Sequence, residues 1–287
     1  MRRALTLAFA LSIAATAAAQ KITLPMKEGS VRFAVIGDSG TGGGSQRKVA
    51  ERIAASHKVF PFEFVLMLGD NLYGGEDPDD YEDKFERPYK LLLDAGVKFY
   101  ASLGNHDEPA QRFYKPFNMN GERYYSFKRD GSVRFFALDS NYMQQEQLDW
   151  LEKELAASGS DWKIAFFHHP IYSSGDHHGP DEELRERLEP LFVKHAVDVV
   201  FTGHEHFYER VKPQNGIHYI ISGSAAKLRR GDLAKSSLTA KGYDQGYTFM
   251  IVEIAGDDLH FQAINAEGQT IDSGVIRRRI EAKKQED

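Results

Sequence analysis

The sequence predicts an α/β fold in which stacked β-sheets are flanked by helices. Short runs rich in Val, Ile and Phe recur along the chain and end at Gly, Asp or Asn, as β-strands do. Stretches with apolar residues at helical spacing lie between several of the early runs, whereas the last third of the chain has strands separated only by turns. Alternating strands and helices followed by a strand meander are typical of layered sheets covered by helices.

The individual elements follow from these patterns. The predicted strands are 31–36, 62–68, 97–103, 133–139, 162–167, 197–201, 217–222, 247–254 and 259–264. The predicted helices are 45–57, 83–95, 145–158 and 181–195. Pro88 is expected to break the second helix, because proline lacks the backbone donor that a helix interior needs. No internal repeat or low-complexity linker divides the chain, so we expect one catalytic domain.

The first residues have the layout of a cleavable export signal. Arg2 and Arg3 precede an apolar stretch rich in Leu and Ala, and three alanines stand directly before Gln20. The arginine pair leaves both the general and the twin-arginine export routes open. The predicted organisation is a signal peptide at 1–19, a lead-in at 20–30, the catalytic domain at 31–278 and a charged tail at 279–287.

The composition excludes several kinds of site and partner. The chain has no cysteine, which rules out disulfides, cysteine nucleophiles, thiolate zinc sites and iron–sulfur clusters and suits a periplasmic or secreted protein. The formal net charge of −6 becomes −8 once Arg2 and Arg3 are removed, and no dense basic stripe is present, so no nucleic acid partner is expected. No later apolar run approaches the ~20 residues of a membrane span, so no stable membrane insertion is expected.

Polar side chains follow five of the predicted strands, and strand ends in α/β folds are where ligands and catalytic groups collect. Taken singly, most have a local interpretation; a lone aspartate in a glycine-rich loop, for example, often forms an Asx turn or a helix cap. The alternating histidines of GHEH (203–206) are the exception, because that spacing favours a metal pair. The residues concerned are Asp38, Asp70, Asn71, Asn105, His106, His168, His204 and His206.

Two aspartates, one asparagine and three histidines among them exceed the ligands of one tetrahedral ion. Their oxygen and nitrogen donors suit Fe, Mn, Zn or a mixed pair. They match a two-metal site in which one carboxylate bridges ions ~3.5–4 Å apart, an arrangement used to hydrolyse phosphate esters.

Five motifs in order resemble those of the calcineurin-like metallophosphoesterases, and more closely those of the small, mammalian-type purple acid phosphatases. The motifs are GDSG (37–40), GDNLYGG (69–75), GNHD (104–107), HHP (168–170) and GHEH (203–206). The resemblance implies a four-layer α/β/β/α sandwich with two mixed sheets. It also implies an exported acid phosphatase that hydrolyses small phosphate monoesters.

The resemblance further implies which residues hold two metal ions. The first ion, Fe(III), would be bound by Asp38, Asp70, Tyr73 and His206. The second, Fe(II), Zn or Mn, would be bound by Asp70, Asn105, His168 and His204. Most of the superfamily has Asp-x-His in the first motif, whereas this chain has Gly40 at the third position. That departure favours the purple subgroup, in which a tyrosine such as Tyr73 supplies the missing ligand.

Further histidines are expected to face the substrate. His106 would donate a hydrogen bond or act as general acid, and His169 either lines the cleft or is structural. The stretch SSGDHHGP (173–180) resembles a substrate-facing His-Gly-Pro turn; His178 matches its spelling, and one extra residue leaves His177 open. In the implied mechanism a hydroxide held between the metals attacks phosphorus in line while a protonated His106 or His178 assists the leaving group.

Other functions remain as alternatives. A phosphodiesterase or nucleotide-cleaving enzyme on the same site is the nearest, because ligands set the reaction type while loops set the substrate. A GDSL-type serine esterase using Ser39, with DDLH (257–260) supplying an acid and a histidine, is more remote because it leaves the metal-type residues unexplained. A dinucleotide site lacks its G-x-G-x-x-G register, and a non-catalytic binding module would be indicated by lost ligands, of which there are none.

Overall fold

The computed structural model describes residues 21–130 and 132–279. The predicted signal peptide at 1–19 and all but the first residue of the predicted tail lie outside the described residues. Within the described residues, no helix is long and apolar enough to cross a membrane.

The strands of the described chain form two mixed sheets. In chain order they are β1 (Val31–Ile36), β2 (Phe64–Leu68), β3 (Lys98–Ser102), β4 (Tyr125–Arg129), β5 (Val133–Ala137), β6 (Trp162–Phe167), β7 (Val199–Thr202), β8 (Tyr208–Val211), β9 (His218–Ser222), β10 (Thr239–Tyr243), β11 (Thr248–Ala255), β12 (Asp258–Asn265) and β13 (Thr270–Arg277). The first sheet has the order β13-β12-β11-β1-β2-β3, and the second has the order β10-β8-β9-β7-β6-β5-β4.

Helices cover the outer faces of both sheets. They are α1 (Gly44–Val59), α2 (Pro78–Tyr81), α3 (Arg87–Asp94), α4 (Gln145–Ala157) and α5 (Glu182–Lys194), with a π-helical turn at Glu82–Glu86 that runs into α3. Pro88 stands in the first turn of α3, where its missing N–H is not needed, so the expected break takes the form of the π-turn before it. The side chain of Asp181 caps α5 by accepting a hydrogen bond from the Leu184 amide.

Three apolar layers show how the elements stack. Phe33, Phe64 and Phe135 are fully buried between the two sheets, where their rings make stacked and edge-to-face contacts. A second layer lies between the first sheet and helices α1 and α3, and a third lies between the second sheet and helices α4 and α5. The predicted four-layer α/β/β/α sandwich is therefore confirmed.

The strand directions bring the predicted polar groups to one edge. β1, β2 and β3 run parallel in the first sheet, and β5, β6, β7 and β9 run parallel in the second. The carboxyl ends of parallel strands lie at the same edge of a sheet, and the loops that follow them form clefts there. The loops after β1, β2 and β3 consequently meet those after β6 and β7 across the sandwich.

Candidate metal centre

Strained backbone and close glycine packing shape the loops at this edge. Asp38, Asp70 and His204 have positive φ angles of 56°, 52° and 66°, a conformation that costs a non-glycine residue about 1–3 kcal/mol and is concentrated at functional sites. The loops also approach one another closely. A Cβ added to Gly69 would lie 2.6 Å from His168 Nδ1, and one added to Gly203 would lie 2.7 Å from Asp38 Oδ2.

One group of donor atoms contains two buried carboxylates and a histidine. Asp38, Asp70 and His206 each place one ligand atom within 4.8 Å of the others. His206 Nε2 lies 3.4 Å from Asp38 Oδ1, and the His204 amide donates to Asp38 Oδ2 at 2.9 Å. The His106 amide donates to Asp70 Oδ1 at 3.0 Å. Each aspartate is thus held by a backbone amide.

Tyr73 joins this group through its hydroxyl. Its Oη lies 2.6 Å from Asp70 Oδ2 and 3.2 Å from Asp38 Oδ1. Burial, followed by the two carboxylate charges, raises the pKa of Tyr73 above its usual range, so the phenol keeps its proton in the absence of a cation. The structure therefore brings Tyr73 together with Asp38 and Asp70.

A second group of donor atoms lies beside the first, with Asn105 after β3 of the first sheet and His168 and His204 after β6 and β7 of the second. Asn105 Oδ1 lies 3.0 Å from both His168 Nε2 and His204 Nδ1, and those two nitrogens are 3.1 Å apart. His168 Nε2 is 3.4 Å from Asp70 Oδ1, which places Asp70 between the groups. His168 Nδ1 lies 2.8 Å from the Leu68 carbonyl, so a proton on Nδ1 would leave Nε2 free as a ligand.

The donor set fits cations. Burial and the Asp70 charge raise the pKa of Asp38, as expected for adjacent buried carboxylates without a compensating ion. Burial lowers the pKa of His204 to about 2 and that of His206 to about 4, so both rings are neutral and offer lone pairs. His168 Nε2 and His204 Nδ1 are 3.1 Å apart. Two nitrogens that each bind the same ion at about 2.1 Å have a similar separation.

His169, whose role the sequence left open, belongs to the second group by distance. Ligand atoms of His168, His169 and His204 lie within 4.8 Å of one another. His169 Nδ1 is 2.9 Å from Ser140 Oγ, and Ser140 Oγ also accepts from the His169 amide at 3.1 Å. These contacts hold the ring against His204, with a centroid separation of 4.6 Å.

Gly40 stands at the position where the resemblance described above would place a histidine in most members. A Cβ at Gly40 would overlap the backbone carbonyl of Asn71. The Gly40 amide donates to the Asp70 carbonyl at 3.3 Å, and the Gly40 carbonyl accepts from the Tyr73 amide at 2.9 Å. The backbone bonds that bring Tyr73 into place therefore also leave no room for a side chain at position 40.

The substrate-facing histidines lie at the open side of the centre. His106 is exposed, and its ring centroid is 4.9 Å from that of Tyr73. The ring of His178 lies 4.1 Å from that of His204, whereas His177 makes its ring contact with His178. The structure thus places His178 against the metal-type residues.

Cavities flank the centre at this open side. One of about 330 Å³ is lined in part by His169, His178 and His204. Another of about 260 Å³ is lined in part by Asn105, Arg123 and Tyr142. These volumes suit a small molecule.

Several residues at the centre were missed by the sequence analysis. The Asp107 carboxylate accepts hydrogen bonds from the Asn71, Leu72 and Gly104 amides and so ties the second and third motifs together. Lys227 Nζ lies 4.4 Å from the Tyr73 ring centroid. The Arg229 amide donates to the His206 carbonyl at 3.1 Å. The pKa of His206 is lowered mainly by burial, and the charges of Arg229 and Lys227 lower it further. Glu205 was missed as well. Asp107 lies within the GNHD motif and Glu205 within the GHEH motif, whereas no sequence motif marks Lys227 or Arg229.

The geometry counts against the serine esterase alternative. Ser39 follows the end of β1 and is buried. His260 pairs with Glu253, which pairs with Arg32 near the start of β1. At ~3.3 Å per residue, the histidine is roughly 20 Å along the strands from Ser39, too far to act as its base.

Comparison with known proteins identifies the family. Residues 31–208, more than half of the chain, match the model of the calcineurin-like phosphoesterases. The chain belongs to this family. Purple acid phosphatase 17 of Arabidopsis thaliana is 26% identical over 91% of this phosphoesterase and 89% of its own length. Tartrate-resistant acid phosphatase type 5 of Rattus norvegicus is 27% identical over 80% and 83% of the two chains. The predicted resemblance to purple acid phosphatases is confirmed.

Solved structures share the fold of this phosphoesterase. Purple acid phosphatase PPD1 from yellow lupin has a TM-score of 0.71 at 20% identity, covering 87% of this chain and 54% of that one. A dimetal phosphatase from Danio rerio has a TM-score of 0.65 at 13% identity, covering 87% and 99%. GAP50, described as the anchor in the inner membrane complex of Plasmodium, has a TM-score of 0.75 at 20% identity, covering 88% and 90%. These likenesses show the fold alone.

Proposed function

We propose that this phosphoesterase is an exported acid phosphatase with a two-metal centre that hydrolyses small phosphate monoesters. The observation that carries the proposal is the convergence of Asp38, Tyr73 and His206 on one side of Asp70, and of Asn105, His168 and His204 on the other. The purple acid phosphatases among its relatives support both the metal pair and the substrate class.

The first group would hold the more highly charged ion. Two carboxylates and a phenolate are hard anionic donors, which favour Fe(III) once the Tyr73 proton is lost. The second group offers one shared carboxylate, an amide oxygen and neutral histidines, which suit Fe(II), Zn or Mn. When bound, such a pair supplies Lewis-acid polarisation of the phosphoryl oxygens and a nucleophile from water at low pH.

The protein's own side chains would then orient the ester and supply the proton. The ring of His106 lies against Tyr73 and that of His178 lies against His204, and both histidines are exposed to an incoming ligand. Either one can donate a proton to the leaving oxygen, help that typically contributes ~100- to 10,000-fold. Burial, aided by the charge of Arg229, lowers the pKa of His178 and so makes its imidazolium a stronger acid than a solvated one.

The charges around the cleft favour an anionic substrate. Lys227 and Arg229 lie beside the first group, where they add positive potential to that of bound metals. A monoester dianion gains more from this potential than a diester monoanion does. The same donor groups would also accept a diester or a nucleotide, so the two substrate classes have to be compared directly.

The decisive experiment combines metal analysis with a substrate comparison. Purified protein should contain close to two metal ions per chain and should hydrolyse p-nitrophenyl phosphate faster than bis(p-nitrophenyl) phosphate. Removal of the metals with a chelator should abolish turnover, and added Fe and Zn should restore it. Full activity in metal-free protein would contradict the metal-dependent mechanism, and faster diester cleavage would favour the alternative.

Export is proposed from residues 1–19, which lie outside the described residues. The apolar stretch and the alanines before Gln20 predict cleavage after Ala19. N-terminal sequencing of protein recovered from the periplasm or medium should find Gln20 first. Met1 on that protein would contradict the predicted cleavage.

A further inference from the structure

Glu205 stands between the two histidines of GHEH but takes no part in the donor groups. Its relative exposure is 0%, and its carboxylate lies under residues 173–180, which we call the histidine loop because they include His177 and His178. A buried carboxylate costs free energy unless hydrogen bonds compensate for it. Its partners therefore indicate what it stabilises.

One oxygen of Glu205 joins the two ends of the histidine loop. Oε1 accepts from Ser173 Oγ at 2.9 Å and from the Gly179 amide at 2.8 Å. Ser173 Oγ in turn accepts from the Gly175 amide at 2.9 Å. Gly179 directly follows His178, so the carboxylate holds the backbone next to that histidine.

The loop backbone is shaped to receive the carboxylate. A Cβ at Gly175 would overlap Glu205 Oε1, so only glycine permits the approach. Gly179 has a φ of +73°, which favours glycine at that position too.

The rest of the loop is held from its other side. The Asp176 amide donates to the Asp232 carbonyl, and the Ala234 amide donates to the Ser174 carbonyl, both at 2.9 Å. Among the described residues, the bond to Glu205 is the only hydrogen bond made by residues 177–179.

We propose that Glu205 is a positioning residue that fixes His178 against the metal centre through the Gly179 amide. The inference rests on the proposed function, because it assigns His178 its place in that reaction. His178 is exposed and makes no hydrogen bond to another described residue, yet its ring lies 4.1 Å from that of His204. Removing the Glu205 carboxylate releases the backbone beside His178, whereas the side chains of His204 and His206 are not changed.

A double-mutant cycle tests this coupling. Glu205→Ala and His178→Ala should each lower kcat for an alkyl phosphate by a similar factor, about 100-fold. The double variant should be no slower than either single variant, because both changes remove the same proton donor. The losses should be much smaller for p-nitrophenyl phosphate, whose leaving group needs little protonation. Glu205→Gln should keep most activity, since its amide oxygen can still accept from Gly179.

Two controls separate positioning from general damage. Glu253→Ala also removes a buried carboxylate that holds a loop, through the Met26 and Lys27 amides, but it is remote from the centre and should leave kcat unchanged. Metal content should stay at the wild-type level in Glu205→Ala. Losses that multiply in the double variant, or depleted metal in Glu205→Ala, would overturn the proposal.

Hydrogen–deuterium exchange gives a readout that does not depend on activity. Residues 173–180 should exchange faster in Glu205→Ala than in the wild type and should be unchanged in Glu253→Ala. Unchanged exchange in Glu205→Ala would overturn the positioning role even in a fully active enzyme. A wild-type protein without phosphatase activity would instead refute the proposed function, and the exchange result would still decide whether Glu205 holds the loop.

Discussion

The hydroxyl of Tyr73 lies 2.6 Å from Oδ2 of Asp70 and is shared with Asp38 at 3.2 Å. One phenol proton thus stands between two buried carboxylates. A cation bound there would take over the role of that proton, since it compensates both carboxylates and stabilises the phenolate. Position 40 offers no histidine, and Tyr73 would supply a phenolate oxygen instead. A donor of that kind favours Fe(III) at this centre.

The first prediction concerns the colour of the iron-loaded protein. A phenolate bound to Fe(III) gives a visible charge-transfer band, so aerobically reconstituted wild type should be pink to violet. Tyr73→Phe should lack the band while keeping part of its iron through Asp38, Asp70 and His206. Tyr114→Phe, which removes a hydroxyl bonded to Glu86 outside the centre, is the matched control and should keep the band. An identical spectrum in Tyr73→Phe would remove Tyr73 from the site.

The second prediction concerns the central carboxylate. Asp70 contacts Tyr73 on one side and lies 3.4 Å from His168 Nε2 on the other, so Asp70→Ala should lose both ions and all measurable activity. Among the donor side chains, Asp38 contacts His206 and Tyr73 of the first group, and it meets the second group only through the His204 backbone amide, so Asp38→Ala should retain much of the second ion. Metal per chain, measured by plasma mass spectrometry after gel filtration, distinguishes the two variants. Equal metal loss in both would contradict a bridging role for Asp70.

The third prediction separates proton transfer from metal binding at His106. Its backbone amide, which the alanine variant retains, holds Asp70, while its exposed ring faces Tyr73. His106→Ala should therefore keep both ions and lose about 100-fold or more in kcat. The loss should be larger for alkyl than for nitrophenyl esters. Depleted metal in His106→Ala would instead make the ring a ligand.

The fold was predicted well where strands are apolar and poorly where they are polar. Every predicted strand is present within a few residues, because most of its positions are buried and apolar. The edge strands β4, β10 and β13 were missed because they carry many polar residues, whereas the edge strand β3 is mostly apolar and was predicted. β8 was missed because Glu209 and Arg210 interrupt it, and their partners, Thr239 and Asp272, are distant in sequence.

The site shows the same division between local and long-range information. The residues after each strand could be predicted to converge because parallel strands end at one edge of a sheet. The contacts of Glu205 with Gly179 and of Lys227 with Tyr73 join segments that no motif relates, so they required the structure. Which of His177 and His178 lies against His204 depends on the conformation of the loop, which the sequence does not show.

The fourth prediction is that a histidine cannot be restored at position 40. A Cβ there would overlap the Asn71 carbonyl, so Gly40→Ala and Gly40→His should both unfold at a lower temperature than wild type, and Gly40→His should not replace Tyr73 as a ligand. Gly44, at the start of α1, is the matched control because a Cβ added there would meet nothing within 4 Å. Gly44→Ala should be neutral or stabilising by up to ~1 kcal/mol. Wild-type stability in Gly40→His would contradict the steric argument.

The last prediction concerns stability and pH far from the centre. Asp198 accepts from the Lys163 amide at 2.9 Å and the Arg279 amide at 2.7 Å, yet burial raises its pKa to about 6. An unfolded aspartate titrates near ~3.9, so the folded state binds more protons between pH 4 and 6, and stability falls as pH rises through that window. Asn at position 198 cannot ionise, so the Asp198→Asn variant should not lose this stability. The unfolding free energy of the variant minus that of the wild type should therefore rise by roughly 1–3 kcal/mol from pH 4 to pH 7. The lost acceptor lowers the stability of the variant at every pH and does not alter this trend. Urea unfolding at four pH values measures this difference in unfolding free energy, and Asp79→Asn, at an exposed position, is the control. A difference that does not change with pH would show that the two amide hydrogen bonds outweigh the effect of burial on the Asp198 pKa.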